Sequence, residues 1–206
     1  MPNRRGLLLV ISGPSGVGKG TICKALFARN ATMKFSVSAT TRQARPGEIE
    51  GVNYFFKTQQ EFEGMIKNGE FLEHMLLFGT NYYGTPRQYV EEELACGNDI
   101  ILEIDVGGAL RVKQAYPEAV MIFIAPPAFS DLKSRLINRD ADTPESIETR
   151  LNTAKSELEV MDQYEYVVVN DIIDKAVRQI EAIVVAEKAS QPRNPDIKQK
   201  ILGGIT

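Results

Sequence analysis

Residues 7–20 of this 206-residue chain read LLLVISGPSGVGKG, an apolar run followed by a glycine-rich loop that ends in Lys19 and Gly20. The apolar run predicts a buried strand, and Lys19–Arg29 has the pattern of a helix. Glycines let the backbone turn tightly, so that successive N–H groups point into one cavity. The helix N-terminus adds positive potential, and Lys19 can reach the outer phosphates of a bound nucleotide. The stretch therefore predicts a phosphate-binding P-loop.

One position departs from the usual P-loop pattern. The residue after the lysine is ordinarily Ser or Thr, whose hydroxyl ligates Mg²⁺, but here it is Gly20, followed by Thr21. The phosphate cradle consists of backbone groups and survives this change, whereas direct ligation of Mg²⁺ by the loop does not follow. The alternative interpretation is a glycine-rich turn with a solvated lysine, which the strand–loop–helix context disfavours.

The composition excludes several classes of protein. A chain of 206 residues fits one domain, and its net charge of −3 leaves no broad basic surface, so we expect neither a nucleic acid nor a membrane partner. Cys23 and Cys96 match no metal-binding spacing, and Cys23 is expected to be a small buried side chain. The apolar run near the N-terminus is too short for a secretory signal or a membrane span, so we expect a cytoplasmic protein.

Apolar runs alternate with helical patterns along the chain. The runs lie at residues 7–12, 100–104, 120–124 and 166–169, and helical patterns follow at 19–29, from 107 to about 116, and at 172–188. Buried strands separated by helices are typical of a parallel sheet covered on both faces. We therefore predict an α/β class, three-layer P-loop fold with a central parallel sheet, in which ligands bind at the carboxyl ends of the strands.

Two segments interrupt this alternation. Residues 36–85 are rich in Arg, Tyr, Phe, Thr and Gly, with strand pieces at 54–56 and 71–72, a helix at 60–68 and a tight turn at 81–85. They predict an inserted mixed α+β lobe. Residues 127–161 predict a helical lid, and 191–206 a loosely held tail. The sheet domain then comprises about 1–35, 86–126 and 162–190.

The inserted lobe carries groups suited to a phosphate and a base. Arg42 and Arg45 lie three residues apart beside a run of hydroxyl residues, and arginine holds a phosphate through two parallel hydrogen bonds. Tyr54 and Tyr83 add phenol donors, and Glu73 adds a carboxylate. These are the groups that a nucleoside monophosphate site requires, although a solvated basic turn beside an aromatic core has the same composition.

Taken together, these motifs resemble the guanylate kinase family. The matches run in order from about residue 7 to about residue 188: Gly13-Pro14-Ser15-Gly16, Ser36-Val37-Ser38, Thr40-Thr41-Arg42, Arg45-Pro46-Gly47-Glu48, Gly51, Tyr54-Phe55-Phe56, Phe71-Leu72-Glu73-His74, Asn81-Tyr82-Tyr83-Gly84-Thr85, Glu103-Ile104-Asp105, Pro126-Pro127 and Val169-Asn170-Asp171. The resemblance implies reversible, Mg²⁺-dependent transfer of the ATP γ-phosphoryl group to GMP, and to dGMP, giving ADP and GDP in purine nucleotide metabolism and GMP recycling.

The resemblance also assigns roles in the acceptor site. It implies that the GMP phosphate is held by Arg42, Arg45, Tyr54 and Tyr83. Glu73 would accept both N1–H and N2–H of guanine, while Ser38 and Thr85 would meet O6. Adenine offers the opposite pattern, so discrimination on the order of 10⁴-fold is expected. Glu103 would face GMP, and Asp105 would lie near GMP and the metal.

On the donor side, the resemblance places the ATP phosphates on the P-loop residues Gly13, Pro14, Ser15, Gly16, Val17, Gly18, Lys19, Gly20 and Thr21. The lid arginines would close over the transferred group, and they are Arg135, Arg139 and Arg150. Asn170 would lie beside adenine. The expected catalytic residues are Lys19, Arg42, Arg139 and Arg150. The expected cofactor is Mg²⁺, held by Thr21 and by Asp105 through water.

Two other functions remain compatible with the same scaffold. The first is a kinase for a different acceptor, such as AMP or a phosphorylated sugar, which Glu73 with Ser38 and Thr85 disfavours. The second is a binding module, since scaffold proteins contain guanylate-kinase-like domains that bind protein partners. Those domains usually have a degraded P-loop, whereas this chain keeps Lys19 and Arg42. We therefore expect an enzyme, acting as a monomer or a small homo-oligomer.

Overall fold

The computed structural model describes residues 5–77, 79–137 and 144–203. Strands and helices follow one another in the order β1 (Leu8–Ser12), α1 (Lys19–Arg29), β2 (Met33–Phe35), β3 (Ala39–Thr40), β4 (Phe55–Phe56), α2 (Gln59–Lys67), β5 (Phe71–Leu77), β6 (Asn81–Pro86), α3 (Arg87–Ala95), β7 (Asp99–Glu103), α4 (Val106–Ala115), β8 (Val120–Ala125), α5 (Phe129–Ile137), α6 (Pro144–Glu159), β9 (Tyr166–Val169), α7 (Ile173–Ala189) and α8 (Ile197–Leu202).

The central sheet has five parallel strands in the order β2-β7-β1-β8-β9. All five residues of β1 are buried, as expected for the middle strand of a parallel sheet covered on both faces. Leu9 and Ile11 face the core that α1 and α7 cover, while Leu8 and Val10 face the core under α3 and α4. The predicted α/β class with a central parallel sheet is confirmed.

A second sheet lies in the segment between β2 and α3. Its strand order is β4-β3-β6-β5, and it mixes one parallel pair with two antiparallel pairs. Helix α2 begins at a capping box, in which Thr58 accepts from the Glu61 N–H and the Glu61 carboxylate accepts from the Thr58 N–H. Phe62 of this helix stacks on Phe71, so this small sheet has a hydrophobic core of its own.

The prediction of a tight turn at residues 81–85 is wrong. These residues form β6, which pairs with β5 on one side and β3 on the other. The reversal of the chain comes earlier, at Gly79, whose φ of 69° is accessible to glycine at little cost. The aromatic residues of 81–85 therefore belong to a strand, where alternate side chains face opposite sides of the small sheet.

Other elements were not predicted. Strand β2 has only three residues, and α3 buries only Val90 and Leu94, so neither gives a strong apolar pattern in the sequence. The tail, expected to be loosely held, contains helix α8. It is anchored before this helix by Arg193, which donates to the Glu187 carboxylate at 3.0 Å and to the Glu118 carbonyl at 2.8 Å.

Within the described residues, none of the helices combines the length and the apolar character needed to cross a membrane.

Candidate functional site

The P-loop, residues 13–20, connects β1 to α1 at the carboxyl edge of the central sheet. Gly13 has a φ of 137°, and a Cβ there would lie 2.3 Å from the Ile124 carbonyl oxygen. Gly18 has a φ of 99°, and a Cβ there would lie 2.6 Å from the Asn170 side-chain nitrogen. Both positions therefore require glycine, since a side chain would combine backbone strain with a collision.

The Lys19 ammonium lies over the P-loop backbone. Its Nζ donates to the Gly13 carbonyl at 2.5 Å and to the Pro14 carbonyl at 3.2 Å. Burial lowers the pKa of Lys19, and nearby carboxylates, with Glu157 foremost and Glu103 next, act in the opposite direction. Lys19 is thus a partly desolvated cation beside the backbone of the P-loop. This environment is suited to an anionic ligand.

Two side chains, those of Asn170 and Arg135, donate hydrogen bonds to the Val17 carbonyl oxygen of the P-loop. Asn170 is buried and its Nδ2 donates to the Val17 oxygen at 2.8 Å. Arg135 of α5 donates to the same oxygen at 3.0 Å and to the Asn170 carbonyl at 3.2 Å. The predicted ATP residues Arg135 and Asn170 therefore meet at the P-loop, and they fix its conformation through a shared acceptor.

Glu73 is a buried carboxylate on the small sheet. Its Oε1 accepts from the Thr85 hydroxyl at 2.9 Å, and its Oε2 lies 3.9 Å from the Arg111 guanidinium. Burial raises the pKa of Glu73, while Thr85 and Arg111 favour its charged form. Because Ala39 pairs with Gly84 in antiparallel register, Ser38 is next to Thr85 across the sheet. The three predicted guanine-reading side chains thus come from neighbouring strands.

Three of the predicted phosphate-binding side chains form one cluster. The Arg42 guanidinium lies 5.4 Å from the centre of the Tyr54 ring, and the Tyr54 and Tyr83 rings are 6.0 Å apart. Arg42 donates to the Glu48 Oε1 at 2.8 Å, which holds the pKa of Glu48 below its usual range. Arg45 has an exposed side chain, and its backbone N–H donates to the other Glu48 oxygen at 2.7 Å.

A cavity of about 350 Å³ separates the small sheet from the central sheet. The lining includes three of the predicted GMP residues, Ser38, Tyr54 and Glu103, but not Glu73, Thr85 or Arg42; its other residues are Phe35, Ser36, Val52, Asn53, Leu102 and Ile104. Burial raises the pKa of Glu103, and the Cys23 thiol donates to its carboxylate. Cys23 itself is buried, as predicted. The cavity brings residues of the predicted acceptor site to the carboxyl edge of the central sheet.

The residues expected to hold Mg²⁺ lie around the start of α1 and α4. Asp105 caps α4 by accepting from the Gly108 N–H at 2.7 Å, and its side chain is exposed. Thr21 is exposed in the first turn of α1, whereas Gly20 faces Glu103, so that a Cβ at residue 20 would lie 3.4 Å from the Glu103 Oε1. In the described parts of the chain no group of three or more His, Cys, Asp or Glu side chains is placed to hold a metal ion.

The segment predicted to form the lid contains α5 and α6. Leu132 and Ala154 are fully buried, so both helices pack on the core. Arg150 is half-buried on α6, while Arg139 lies outside the described residues. Glu157 follows Arg150 by two helical turns and therefore shares its face of the helix.

Sequence reasoning missed three side chains of this site: Glu48, Arg111 and Glu157. Glu48 bridges Arg42 and Arg45, and its place in the same short loop was the available signal. Arg111 and Glu157 gave no local signal, because a charged residue on a helix is ordinarily solvated. Only their positions relative to Glu73 and Lys19 single them out.

Comparisons of the sequence and the structure with known proteins all give the same family. A family model described as guanylate kinase matches residues 5–187. The chain is 53% identical over 206 residues to the guanylate kinase of Bacillus anthracis, covering 100% of each protein. It is 50% identical over 198 residues to that of Caldanaerobacter subterraneus subsp. tengcongensis, covering 96% of each. The crystal structure of guanylate kinase from Anaplasma phagocytophilum matches with a TM-score of 0.69 at 34% identity, covering 92% of this chain and 90% of that one.

Proposed function

The chain belongs to the guanylate kinase family, and we propose that its P-loop holds ATP while the cavity beside Ser38, Tyr54 and Glu103 takes GMP. The enzyme transfers the γ-phosphoryl group of ATP to GMP and yields ADP and GDP. We assign the GMP lobe to residues 36–85 and the lid to 127–161. We also include dGMP as an acceptor, because none of the proposed base and phosphate contacts involves the 2′-hydroxyl.

One observation supports the choice of guanine most directly, namely the burial of Glu73 against Thr85 at 2.9 Å. A buried carboxylate needs donors, and guanine offers N1–H and N2–H side by side. Adenine has no 2-amino group, and it presents an amino group where guanine has O6. An adenine placed against Glu73 and Thr85 would leave buried polar groups unpaired, which is why we propose strong rejection of AMP.

The proposed mechanism is direct in-line transfer. An oxygen of the GMP phosphate attacks the γ-phosphorus, and the bond to the β–γ bridging oxygen breaks as ADP leaves. This reaction depends on alignment and on neutralisation of charge rather than on a base. We assign Lys19 and the P-loop N–H groups to the ATP phosphates, Arg42 with Tyr54 and Tyr83 to the GMP phosphate, and Arg139 and Arg150 to the transferred group.

The residues near the P-loop fit a magnesium ion that arrives with ATP. Magnesium keeps several waters and is usually bound by one or two carboxylates besides the substrate phosphates, so a complete protein cage is not required. We propose that the exposed Asp105 holds it through water and that the Thr21 hydroxyl lies near it. When bound, the ion would supply charge neutralisation on the phosphates.

The experiment that tests the proposed function is ADP formation from Mg²⁺–ATP with GMP, dGMP, AMP, CMP and UMP offered separately. We expect fast turnover with GMP and dGMP, and a specificity constant for AMP lower by roughly 10³–10⁴-fold. Comparable turnover with AMP would contradict the Glu73 pocket. Binding of GMP without turnover on any acceptor would contradict the assignment of the P-loop as the ATP site.

A further inference from the structure

Arg111 of α4 approaches the oxygen of Glu73 that Thr85 does not contact. Its guanidinium lies 3.9 Å from Glu73 Oε2, whereas the Thr85 hydroxyl donates to Oε1 at 2.9 Å. Hydrogen bonds from nitrogen to oxygen span about 2.7–3.2 Å, so Arg111 is close to Oε2 without being bonded to it. Oε2 can therefore accept a donor from a ligand, and a cationic donor of the protein lies beside it.

The first turn of α4 brings these two groups together. A Cβ at residue 108 would lie 3.6 Å from Glu73 Oε2, and a Cβ at residue 107 would lie 3.5 Å from a terminal guanidinium nitrogen of Arg111. The Arg111 side chain thus runs back toward the N-terminus of its own helix, as helical side chains generally do. It is 45% exposed, whereas the Glu73 side chain is 7% exposed. The guanidinium is therefore free to close the gap of about 1 Å that separates it from a hydrogen bond to Oε2.

Two charges of α4 act on the buried carboxylate in opposite directions. Burial raises the pKa of Glu73, Thr85 and Arg111 favour its charged form, and Asp105 opposes that form. Asp105 is held at the start of the same helix by the Gly108 N–H, at 2.7 Å. Arg111 is thus the cation on this helix that offsets both desolvation and the repulsion from Asp105.

The two oxygens of Glu73 face different parts of the proposed guanine. Along the Watson–Crick edge of guanine, O6 is followed by N1–H and then by the 2-amino group. We assign Thr85 to O6, and Thr85 lies beside Oε1, so Oε1 would accept from N1–H. The other oxygen, Oε2, would accept from the 2-amino group, on the side of Arg111. Hypoxanthine, the base of IMP, keeps O6 and N1–H but has no 2-amino group, and it would leave Oε2 without a donor.

We propose that Arg111 is a specificity-determining residue that supplies the missing donor to Glu73 Oε2 when IMP binds, so that the enzyme also phosphorylates IMP. This inference rests on the proposed binding of guanine at Glu73. The transfer follows the same course as with GMP: an oxygen of the IMP phosphate attacks the γ-phosphorus of ATP, the bond to the β–γ bridging oxygen breaks, and the products are IDP and ADP. Because Arg111 pairs with Oε2, IMP is rejected less strongly than AMP, which offers neither N1–H nor O6.

The experiment measures kcat/KM for GMP and for IMP in the wild type and in Arg111→Met, which keeps the length of the side chain but removes its donors and its charge. In the wild type we expect GMP to be preferred by about 10- to 100-fold, the cost of losing a hydrogen bond to a charged group. In Arg111→Met this preference should increase a further five- to twentyfold or so, because Oε2 is left unpaired with IMP alone. A change in the ionisation of Glu73 affects both substrates equally and cancels in the ratio.

Two further variants serve as controls. Arg111→Lys keeps a flexible cationic donor and should preserve the wild-type ratio within about threefold. The Arg87 guanidinium on α3 also lies 3.9 Å from a carboxylate, that of Glu91, so Arg87→Met removes a comparable pair and should leave the ratio unchanged. Arg111→Ala, a replacement that favours the helix, should show the same selective loss of IMP as Arg111→Met.

Several results would overturn the inference. An unchanged or smaller ratio in Arg111→Met and Arg111→Ala would do so, including an equal loss of both substrates, which would limit Arg111 to keeping Glu73 ionised. A wild type that phosphorylates GMP but not IMP would overturn it as well. A wild type that phosphorylates neither would instead refute the proposed function, and the inference would fail with it.

Discussion

At the scale of single residues, burial and neighbouring charges give similar carboxylates different properties. Glu73 and Glu103 have their pKa raised because they are removed from water. Glu48, held by Arg42 and by the Arg45 N–H, has its pKa lowered. Both oxygens of Glu48 accept hydrogen bonds, from Arg42 and from the Arg45 N–H, whereas Glu73 accepts one from Thr85 on Oε1 and has Arg111 only at 3.9 Å from Oε2, so Glu73 keeps acceptor capacity for the donors of a ligand. This contrast supports the proposal that Glu73 binds the guanine base and that Glu48 positions Arg42 and Arg45.

The raised pKa of Glu73 leads to a pH dependence of GMP binding. Only the ionised carboxylate accepts two guanine donors, so the KM for GMP should rise as the pH falls through this raised pKa, while kcat changes less. The measurement is a pH profile of both constants at saturating ATP. In Glu73→Gln, the KM at neutral pH should be roughly 10- to 100-fold higher, as expected for the loss of hydrogen bonds to a charged group.

The same variant distinguishes the ionisation of Glu73 from the ionisation of the GMP phosphate. The GMP phosphate titrates in both enzymes, so the part of the pH profile that disappears in Glu73→Gln belongs to residue 73. The matched control is Glu70→Gln, an exposed carboxylate just before β5, which should keep the wild-type profile. An unchanged KM in Glu73→Gln would remove this residue from the pocket.

At the scale of elements, the loop between β1 and α1 combines an unusual backbone with close packing. Helix α1 has the left-handed Gly18 at its N-cap and no side-chain cap, so its first N–H groups remain open to a ligand. By contrast, α2 and α4 are capped by Thr58 and Asp105. Helices α3 and α7 also lack a side-chain cap, so what distinguishes α1 is the left-handed Gly18 and the glycine loop before it.

Replacing Gly18 by Ala should test this arrangement. The new Cβ would meet the Asn170 nitrogen at 2.6 Å in addition to the strain of a positive φ. We expect ATP binding to weaken at least tenfold and the free energy of unfolding to fall by about 2–4 kcal/mol. Calorimetric ATP binding and urea unfolding measure the two effects.

The control for Gly18→Ala is Gly69→Ala, after α2. Gly69 also has a positive φ, 69°, but a Cβ there has open space around it. This variant should show only the strain of about 1–2 kcal/mol and normal ATP binding. If the two variants lost equal stability and both bound ATP normally, the contact with Asn170 would have no role in holding the loop.

Across the whole molecule, the proposed nucleotide-binding residues lie at the carboxyl ends of the central strands, and a buried ion pair that stabilises the fold lies at their amino ends. The P-loop follows β1, Glu103 is the last residue of β7, and Asp105 comes two residues after it. At the amino edge, the buried Asp99 accepts from the Leu7 N–H at 3.0 Å and from the Lys188 ammonium at 2.6 Å. One carboxylate therefore ties the start of β7 to β1 and to α7, far along the strands from the proposed chemistry.

Replacing Asp99 by Ala should lower the free energy of unfolding by about 3 kcal/mol, since it leaves a buried N–H unpaired and removes the partner of Lys188. The KM values for ATP and GMP should stay within about twofold of the wild type. Urea unfolding and steady-state kinetics measure these quantities, with the exposed Asp196→Ala as the control. A large change in either KM with unchanged stability would show that the two edges are not separate.

Features that depend on local pattern can be predicted from the order of the residues alone. The apolar runs and the glycine loop predicted the central sheet, with β9 at Tyr166–Val169 and α1 at Lys19–Arg29 matching the structure. Such features follow from helical and strand periodicity and from the conformational freedom of glycine, which are properties of neighbouring residues. The family was equally accessible, because its motifs are short and ordered along the chain, and the comparisons confirmed it.

Which charged groups are desolvated, and which of them come into contact, depends on the packing of the whole chain. Residues 81–85 became a strand because β3 and β5 lie on either side of them, which their own sequence does not encode. The Arg111 guanidinium, on a helix distant in sequence, lies 3.9 Å from the Glu73 carboxylate. Desolvation and long-range charge pairing depend on how the chain packs, so no local pattern contains them.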